Sequence, residues 1–445
     1  MDFSLTDEQQ LLKNSVSDFL SNRYALDTSR RAARSDTGWQ PQVWKSFAEE
    51  LGILAAPLPE SRGGLGGGAE EVLVICEVLG QHLVVEPFIG TVVLGGGLLR
   101  RSNSLVANDL IGGIAAGDVV TGFAALEPTS GQSFHSVRTT ARREGQDWVL
   151  DGEKIVVSDA PIATHLIITA RTCGDHTDTS GLTLFAVPFD PASPPQGIGA
   201  HHYRTIDDHH ASDLVIAGLR VPDSARISEV DQAWPVIDAA LDEATAATVA
   251  EAVGMLRKVL ADTVGYTKQR QQFGVAISNF QALQHRMVNM HIEVEQAVAA
   301  SYLASLNLDG PRRTRAVSAA KATIARAARL VGQEAVQLHG GMGMTEELAI
   351  GHYFKRLTAI ESEFGNRDFH TARYQSARCP GLACENDYQA ERARDDHRAL
   401  DVAEDTVLQH HVADGDAVTA VSGHLIGHAE VESEVVEVAV ATTRR

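Results

Sequence analysis

Twice along this chain the spacing of apolar residues changes period, and a chain that does so must build separate layers of secondary structure. From Thr6 onward the apolar positions recur at helical intervals. Thr6 and Gln9 are spaced as a capping box, and Leu11, Leu12, Val16, Phe19 and Leu20 share one face. A second helix is expected over 43–51, stopped at Gly52 where a glycine can take the left-handed cap, and a third over 72–83. Between them PLPESRGGLGGG (57–68) is too rich in Pro and Gly to be regular. At about Val119 the pattern switches to short β-branched runs bounded by Gly, Asp and Pro: VVTGFAAL, TTARREGQDWVLDGEKIVVSD, HLIITART and GLTLFAVPFD. In the second run WVL and KIVVS flank Asp151-Gly152, which reads as a tight hairpin turn. From Trp234 the helical period returns in Ala-rich stretches at 237–268, 280–306 and 312–339.

The expected architecture is therefore α+β. It comprises an N-terminal all-α domain (1–117), a middle antiparallel β-barrel (118–228), a C-terminal four-helix bundle (229–378) and an acidic, poorly ordered tail (379–445). In the tail, residues 381–445 hold 14 acids against 5 bases, a composition that favours solvent over a core. A length of 445 residues agrees with this division, at roughly 150 residues per domain.

Charge and cysteine usage narrow the function classes. The chain carries 58 acids against 38 Lys and Arg, a net −20, where nucleic-acid binding asks for a basic surface. Cys76, Cys173, Cys379 and Cys384 have no CxxC spacing, so neither a zinc site nor a disulfide framework is signalled and a reducing cytoplasm fits. The first residues, MDFSLTDEQQ, carry acids where a secretory leader carries lysines, and no apolar run approaches the ~18 residues of a membrane span. The pairs His201-His202, His209-His210 and His410-His411 lack the i, i+4 spacing of a helical metal site and read as solvated loop histidines, so no metal is expected.

Neither GxxxxGK[ST] nor a strand-to-helix GxGxxG is present, so the sequence gives only weak support to a P-loop or dinucleotide-fingerprint reading. Two glycine-bearing stretches remain. In QLHGGMGMTEE (337–347) the Gly340-Gly341 pair is either a helix C-cap or a place where bare backbone admits an anionic ligand. In QRQQFG (269–274), Arg270 and Phe273 read equally as a solvated helix residue and a core residue, or as ligand contacts.

Order and spacing resolve these alternatives. With its α, β, α layout, RxxFG followed by FQ at 280–281, and QxHGGxG near the end of the helical region, the chain resembles the acyl-CoA dehydrogenase family over roughly residues 2–378. Lesser matches are PESRGGLGGG, Glu127-Pro128 for the family's TEP loop, GEKIVVSD for its GxKxWIT strand, and SDLVIAGLRVP. MDFSLTDEQQLLKNSV, VVLGGGLLR and QLHGGMGM…GHYFKRL are similar to the small subunit of pimeloyl-CoA-type dehydrogenases, which pair with a larger homologous subunit.

The resemblance implies FAD as cofactor, an acyl-CoA substrate, an electron-transfer acceptor and a homologous large subunit in a heterotetramer. It places Arg270 on the flavin diphosphate, Phe273 near the adenine or ribityl region, Gln281, Gln337 and Gly341 on the rest of the adenosine diphosphate portion, and Ser158 near the flavin ring. An arginine fork suits diphosphate oxygens. The departures fall at the catalytic base. The family's commonest base is the Glu of a YEGT motif, where AIESEFGN puts Phe364, and its second base position, on the helix before RxxFG, is Ala244, followed by Thr245. Val156 replaces the tryptophan that backs the flavin ring, and LEPTSGQS lacks the usual GAGSD ending. Glu243 adjoins one base position, but one residue along a helix turns a side chain by about 100°. Glu361 and Glu363 adjoin the other and read as surface or ion-pairing carboxylates. A partner that supplies the base is the implied solution. The alternatives are a homomer using Glu243 or Glu361, and a flavin-free structural or regulatory subunit. The resemblance admits dicarboxylyl, branched, aromatic and steroid-side-chain acyl groups.

Overall fold

Thr6 caps the first helix as its spacing requires: its Oγ1 accepts the Gln9 N–H at 3.2 Å while Gln9 Oε1 accepts the Thr6 N–H at 3.1 Å. The computed structural model describes residues 5–35 and 38–378, so the tail expected over 379–445 lies outside the described residues. The first layer contains α1 (Asp7–Arg23), α2 (Leu26–Ala33), α3 (Pro41–Glu49), α4 (Ala69–Gln81), α5 (Gly96–Arg100) and α6 (Leu105–Ala115), with a π-helical stretch at Phe88–Gly95. Its core holds Trp44, Phe47, Ile53, Leu58 and Ile75, all essentially without exposure.

The middle layer is a single seven-stranded sheet of β1 (Thr121–Ala124), β2 (Thr140–Glu144), β3 (Asp147–Ser158), β4 (His165–Arg171), β5 (Leu182–Pro188), β6 (Ile198–Arg204) and β7 (His210–Pro222). The antiparallel barrel expected from the sequence is corrected in two respects. β1 enters from the helical layer and pairs parallel with β4, so the sheet is mixed. The sheet is also open among the described residues, running from β5 to β6, and the free side of β5 is covered by bridges to Arg226 and Gln232.

Asp151-Gly152 is not a hairpin either. β3 runs straight through it, and the turn lies earlier, at Gly145 (φ 68°), between β2 and β3. Gly152 sits at a register shift against β7, where a Cβ would fall 2.3 Å from Thr139 Oγ1. The glycine serves a bulge and a close approach, which a dipeptide signal cannot distinguish from a turn.

The last layer begins with α7 (Trp234–Gln269) and a two-residue-strand hairpin, β8 (Gln271–Gln272) and β9 (Val275–Ala276). It continues with α8 (Gln281–Ser305), α9 (Arg313–His339), α10 (Ile350–Ser362) and α11 (Arg367–Arg378). α9 is central and packs against α7, α8, α10 and α11, so the expected four-helix bundle is a five-helix cluster among the described residues. α7 and α4 bind the first and last layers together. A Cβ on Gly80 would lie 1.9 Å from the Glu251 carbonyl oxygen, and one on Gly254 would lie 1.8 Å from that of Glu77. Two glycines facing opposite backbones are what allow these helices to approach so closely.

Candidate active site

α7 ends at Gln269, and Arg270 follows in extended conformation (φ −72°, ψ 121°). At the tip of the β8–β9 hairpin, Phe273 (φ 53°) and Gly274 (φ 82°) are both left-handed, the pattern of a type I′ turn. That conformation is ordinary for glycine and costly for an aromatic residue. Phe273 is also 93% exposed, its ring meeting Phe280 edge-on with centroids 6.2 Å apart. Gln281 then opens α8, exposed.

A second turn is held at the same end. The His339 ring, at the close of α9, stacks on Tyr266 in the last turns of α7 (4.3 Å between centroids, 28° between planes). Gln337, two residues before it, is exposed, and a Cβ on Gly341 would meet nothing within 4 Å, so packing does not demand glycine there. The side chains of Arg270, Gln281 and Gln337 have no hydrogen bond or ion pair among the described residues. Exposed donors beside bare backbone are chemically suited to an anionic ligand.

Ser158 is elsewhere, at the exposed end of β3 opposite Ala211, and no hydrogen bond or ion pair among the described residues joins it to that group. Two residues before it, Val156 adopts φ 50° at a bulge, 46% exposed, with its N–H donated to Asp213 Oδ1 at 2.9 Å. A β-branched residue in left-handed backbone is a genuine outlier, and such strain concentrates at functional sites. One chain thus gathers five of the six candidate cofactor residues at one end of the helical layer and leaves Ser158 on the sheet.

Both positions at which the resemblance expects a base carry apolar side chains. Ala244 is fully buried in the core of the first layer, and the Thr245 hydroxyl donates back to the Leu241 carbonyl at 2.7 Å. Phe364 (φ 55°) packs against the same core. Its loop is fastened from three sides. His370 Nε2 donates to the Phe364 carbonyl at 3.0 Å, Lys321 Nζ to the Gly365 carbonyl at 2.7 Å, and the Asn366 N–H to Gln132 Oε1 at 2.7 Å. Burial holds His370 down to about 3 and Lys321 down to about 8. The neighbouring carboxylates are all engaged: Glu243 with Arg100 and Arg101, Glu361 with Arg329, and Glu363 with Arg356 at 3.0 Å.

Arg356 anchors a buried charge cluster where all three layers meet. Its guanidinium takes Glu251 of α7 at 2.8 and 2.7 Å and Asp207 of the β6–β7 turn at 3.0 Å. Burial opposes its charge, but Glu251, Glu363 and Asp207 keep it protonated well beyond the ordinary range. Next to Ser158 stands Asp159 (φ 63°), whose carboxyl is pushed up to about 7 by burial and then by Glu363, against the pull of Arg356. Gly90 accommodates it, since a Cβ there would fall 2.3 Å from Asp159 Oδ2. The motif residues Glu127 and Lys154 form a buried pair at 2.8 Å, and burial brings Lys154 down to about 8.

Sequence reasoning passed over Asp159, Arg356 and Glu251. A signal for Glu251 did exist, a lone acid within the apolar run ATAATVAEAVGM. Among the described residues no cluster of three or more potential ligands could hold a metal, and no helix is long and apolar enough to cross a membrane.

Comparison with known proteins was made against this geometry. Family models described as the acyl-CoA dehydrogenase N-terminal, middle and C-terminal domains match residues 6–117, 122–217 and 231–377. Acyl-CoA dehydrogenase FadE12 of Mycobacterium tuberculosis is 29% identical over 361 residues, covering 78% of this chain and 90% of the relative. The ChsE4-ChsE5 complex from Mycobacterium tuberculosis has a chain with a TM-score of 0.76 at 24% identity, over 84% of this chain and 98% of that one. A glutaryl-CoA dehydrogenase from Mycobacterium smegmatis in complex with FADH2 gives a TM-score of 0.74 at 25% identity, over 84% and 95%.

Proposed function

Since the chain belongs to the acyl-CoA dehydrogenase family, we propose that it is the subunit of a heteromeric, FAD-dependent enzyme that dehydrogenates an acyl-CoA between its α and β carbons, with the base supplied by a larger homologous subunit. One observation carries this reading: both base positions are apolar, at Ala244 and Phe364, while Glu243, Glu361 and Glu363 are each tied to arginine. A carboxylate engaged with arginine is a poorer base than a free one, since the pairing favours its ionised, bonded form. These pairings count against the homomeric alternative, whose candidate bases are Glu243 and Glu361.

The residues at the far end of α7 fit the cofactor. Arg270 offers an unshared guanidinium fork to the diphosphate, Phe273 an exposed ring to the adenine or ribityl region, and Gln281, Gln337 and the bare backbone of Gly341 polar contacts to the adenosine diphosphate portion. Ser158 takes the ring end, from the sheet. That Ser158 lies on the sheet and the other five at the end of the helical layer supports a flavin shared between two subunits. FAD supplies hydride acceptance from the β carbon. The chain's own part is to orient the flavin and bury its surroundings. Without a positioned base it loses about 10²- to 10⁴-fold in rate, so the subunit alone is nearly inactive. An electron-transfer acceptor reoxidises the enzyme.

The test is the visible spectrum and acyl-CoA-dependent bleaching of this chain purified alone and after co-expression with a homologous larger subunit. Flavin and turnover are expected in the co-purified assembly alone. A yellow, active homomer would overturn the proposal, and an assembly that keeps its flavin after Arg270→Ala would favour the flavin-free structural role.

A further inference from the structure

A cavity of about 270 Å³ lies between the glycine-rich loop 57–68, α4, the middle of α7 and the α8–α9 connection, away from every residue assigned above to the cofactor. Leu58, Val72, Leu73, Val93 and Leu308 supply apolar wall, and its floor on α7 is Ala246 and Ala247, side chains too small to fill it. Arg100 and Glu243 are the charged groups in the wall, with Asp309 exposed at the rim.

The charges in this wall are unevenly matched. Glu243 receives two guanidinium groups, from Arg100 and Arg101, so one positive charge has no acid of its own there. Arg101 spends a further donor on the Gly97 carbonyl at 2.7 Å and does not line the cavity. Of the five N–H donors on Arg100, the bond to Glu243 uses one. The arrangement is held closely, because a Cβ on Gly97 would fall 2.7 Å from Glu243 Oε2 and 3.3 Å from Ala240 Cβ. A pocket with apolar walls, a convergent cationic fork and an open rim has the form of a small-ligand site.

We propose that this cavity binds a short- to medium-chain carboxylic acid, its alkyl chain against Leu58, Val72, Leu73 and Leu308 and its carboxylate on the free edge of Arg100. Glu243 thereby acts as the anchor that orients Arg100, which explains a carboxylate beside the second base position that cannot do base chemistry. Asp309, solvated at the rim, opposes the ligand weakly and disfavours a second carboxylate at the tail end.

The full chain, in whatever assembly it purifies with, is titrated calorimetrically with sodium octanoate and with 1-octanol. Saturable one-to-one binding of octanoate is expected, with octanol weaker by about tenfold or more because it lacks the charge-assisted bonds. Arg100→Gln is expected to weaken octanoate about tenfold or more while leaving octanol unchanged. Leu308→Trp, at the half-buried mouth, is expected to block both, and its far-ultraviolet circular dichroism reports whether the fold is kept. Absence of saturable binding, equal binding of acid and alcohol, or indifference to Arg100→Gln would overturn the proposal. So would displacement of octanoate by acyl-CoA, which would place the ligand in the substrate channel.

Discussion

The middle of α7 and the segment that follows its end contrast sharply. From Ala239 to Leu256 every residue is buried, and Gly254 is pressed against the backbone of α4. Beyond Gln269 the chain turns Arg270, Phe273 and Gln281 out to solvent, two of them polar side chains with no hydrogen-bond or ion-pair partner among the described residues. A helix buried on all sides is held by tertiary packing, and its residues answer to stability. An end that displays unshared donors and an aromatic ring in strained backbone gains nothing from its own fold. In the proposed function its chemistry is completed from outside, by a ligand or a neighbouring subunit.

The largest effect is expected at the buried region. Arg356→Ala would strand Glu251, Asp207 and Glu363 around an empty centre, a loss of about 3–5 kcal/mol in urea unfolding. A loss under ~1 kcal/mol would mean that the cluster is hydrated and that the contrast is overstated. Next is Gly80→Ala, whose methyl would meet the Glu251 carbonyl at 1.9 Å and force α4 from α7, at about 1–3 kcal/mol. An unchanged urea midpoint would show that the two helices can slide apart freely.

Asp159→Asn should act through pH. The folded carboxyl titrates near 7, above its ordinary value of about 4. The folded state therefore holds a proton that the unfolded state releases first, and the stability this contributes is full below pH ~4 and is lost as pH rises to ~7. The amide keeps the neutral shape at every pH, so the variant should melt higher than the parent at pH 8 and equally at pH 4. A gain at pH 4 alone would reverse the assignment. The smallest stability effect belongs to the exposed end: Arg270→Ala and Phe273→Ala should change unfolding by no more than ~0.5 kcal/mol. Flavin retention by the assembled enzyme should fall in both, measured as the ratio of visible to ultraviolet absorbance. A large loss of stability with flavin retained would erase the distinction between the two regions.

Local chemistry was legible where it is decided locally. The capping box at Thr6 and Gln9 needs four consecutive residues, and the type I′ turn at Phe273-Gly274 lies inside a motif that could be read directly. Asp151-Gly152 misled because a bulge and a hairpin draw on the same glycine, and only the register of β7 tells them apart. The motif spacings pointed to Arg270 and Gly341 but carried nothing of Asp159, whose shifted carboxyl depends on burial and on Glu363, two hundred residues away along the chain.

By itself the amino-acid sequence determined the order of layers, α then β then α, the residues proposed for the cofactor, and that Ala244 and Phe364 carry no carboxylate. Each of these depends on residue type and short-range spacing. Tertiary structure alone decided that the sheet is mixed and open, that Glu243, Glu361 and Glu363 are bound to arginines, and that Gly80 and Gly254 let α4 meet α7. Those outcomes are set by which distant backbones and charges come within a few ångströms, a property of the packed chain that no window of sequence contains.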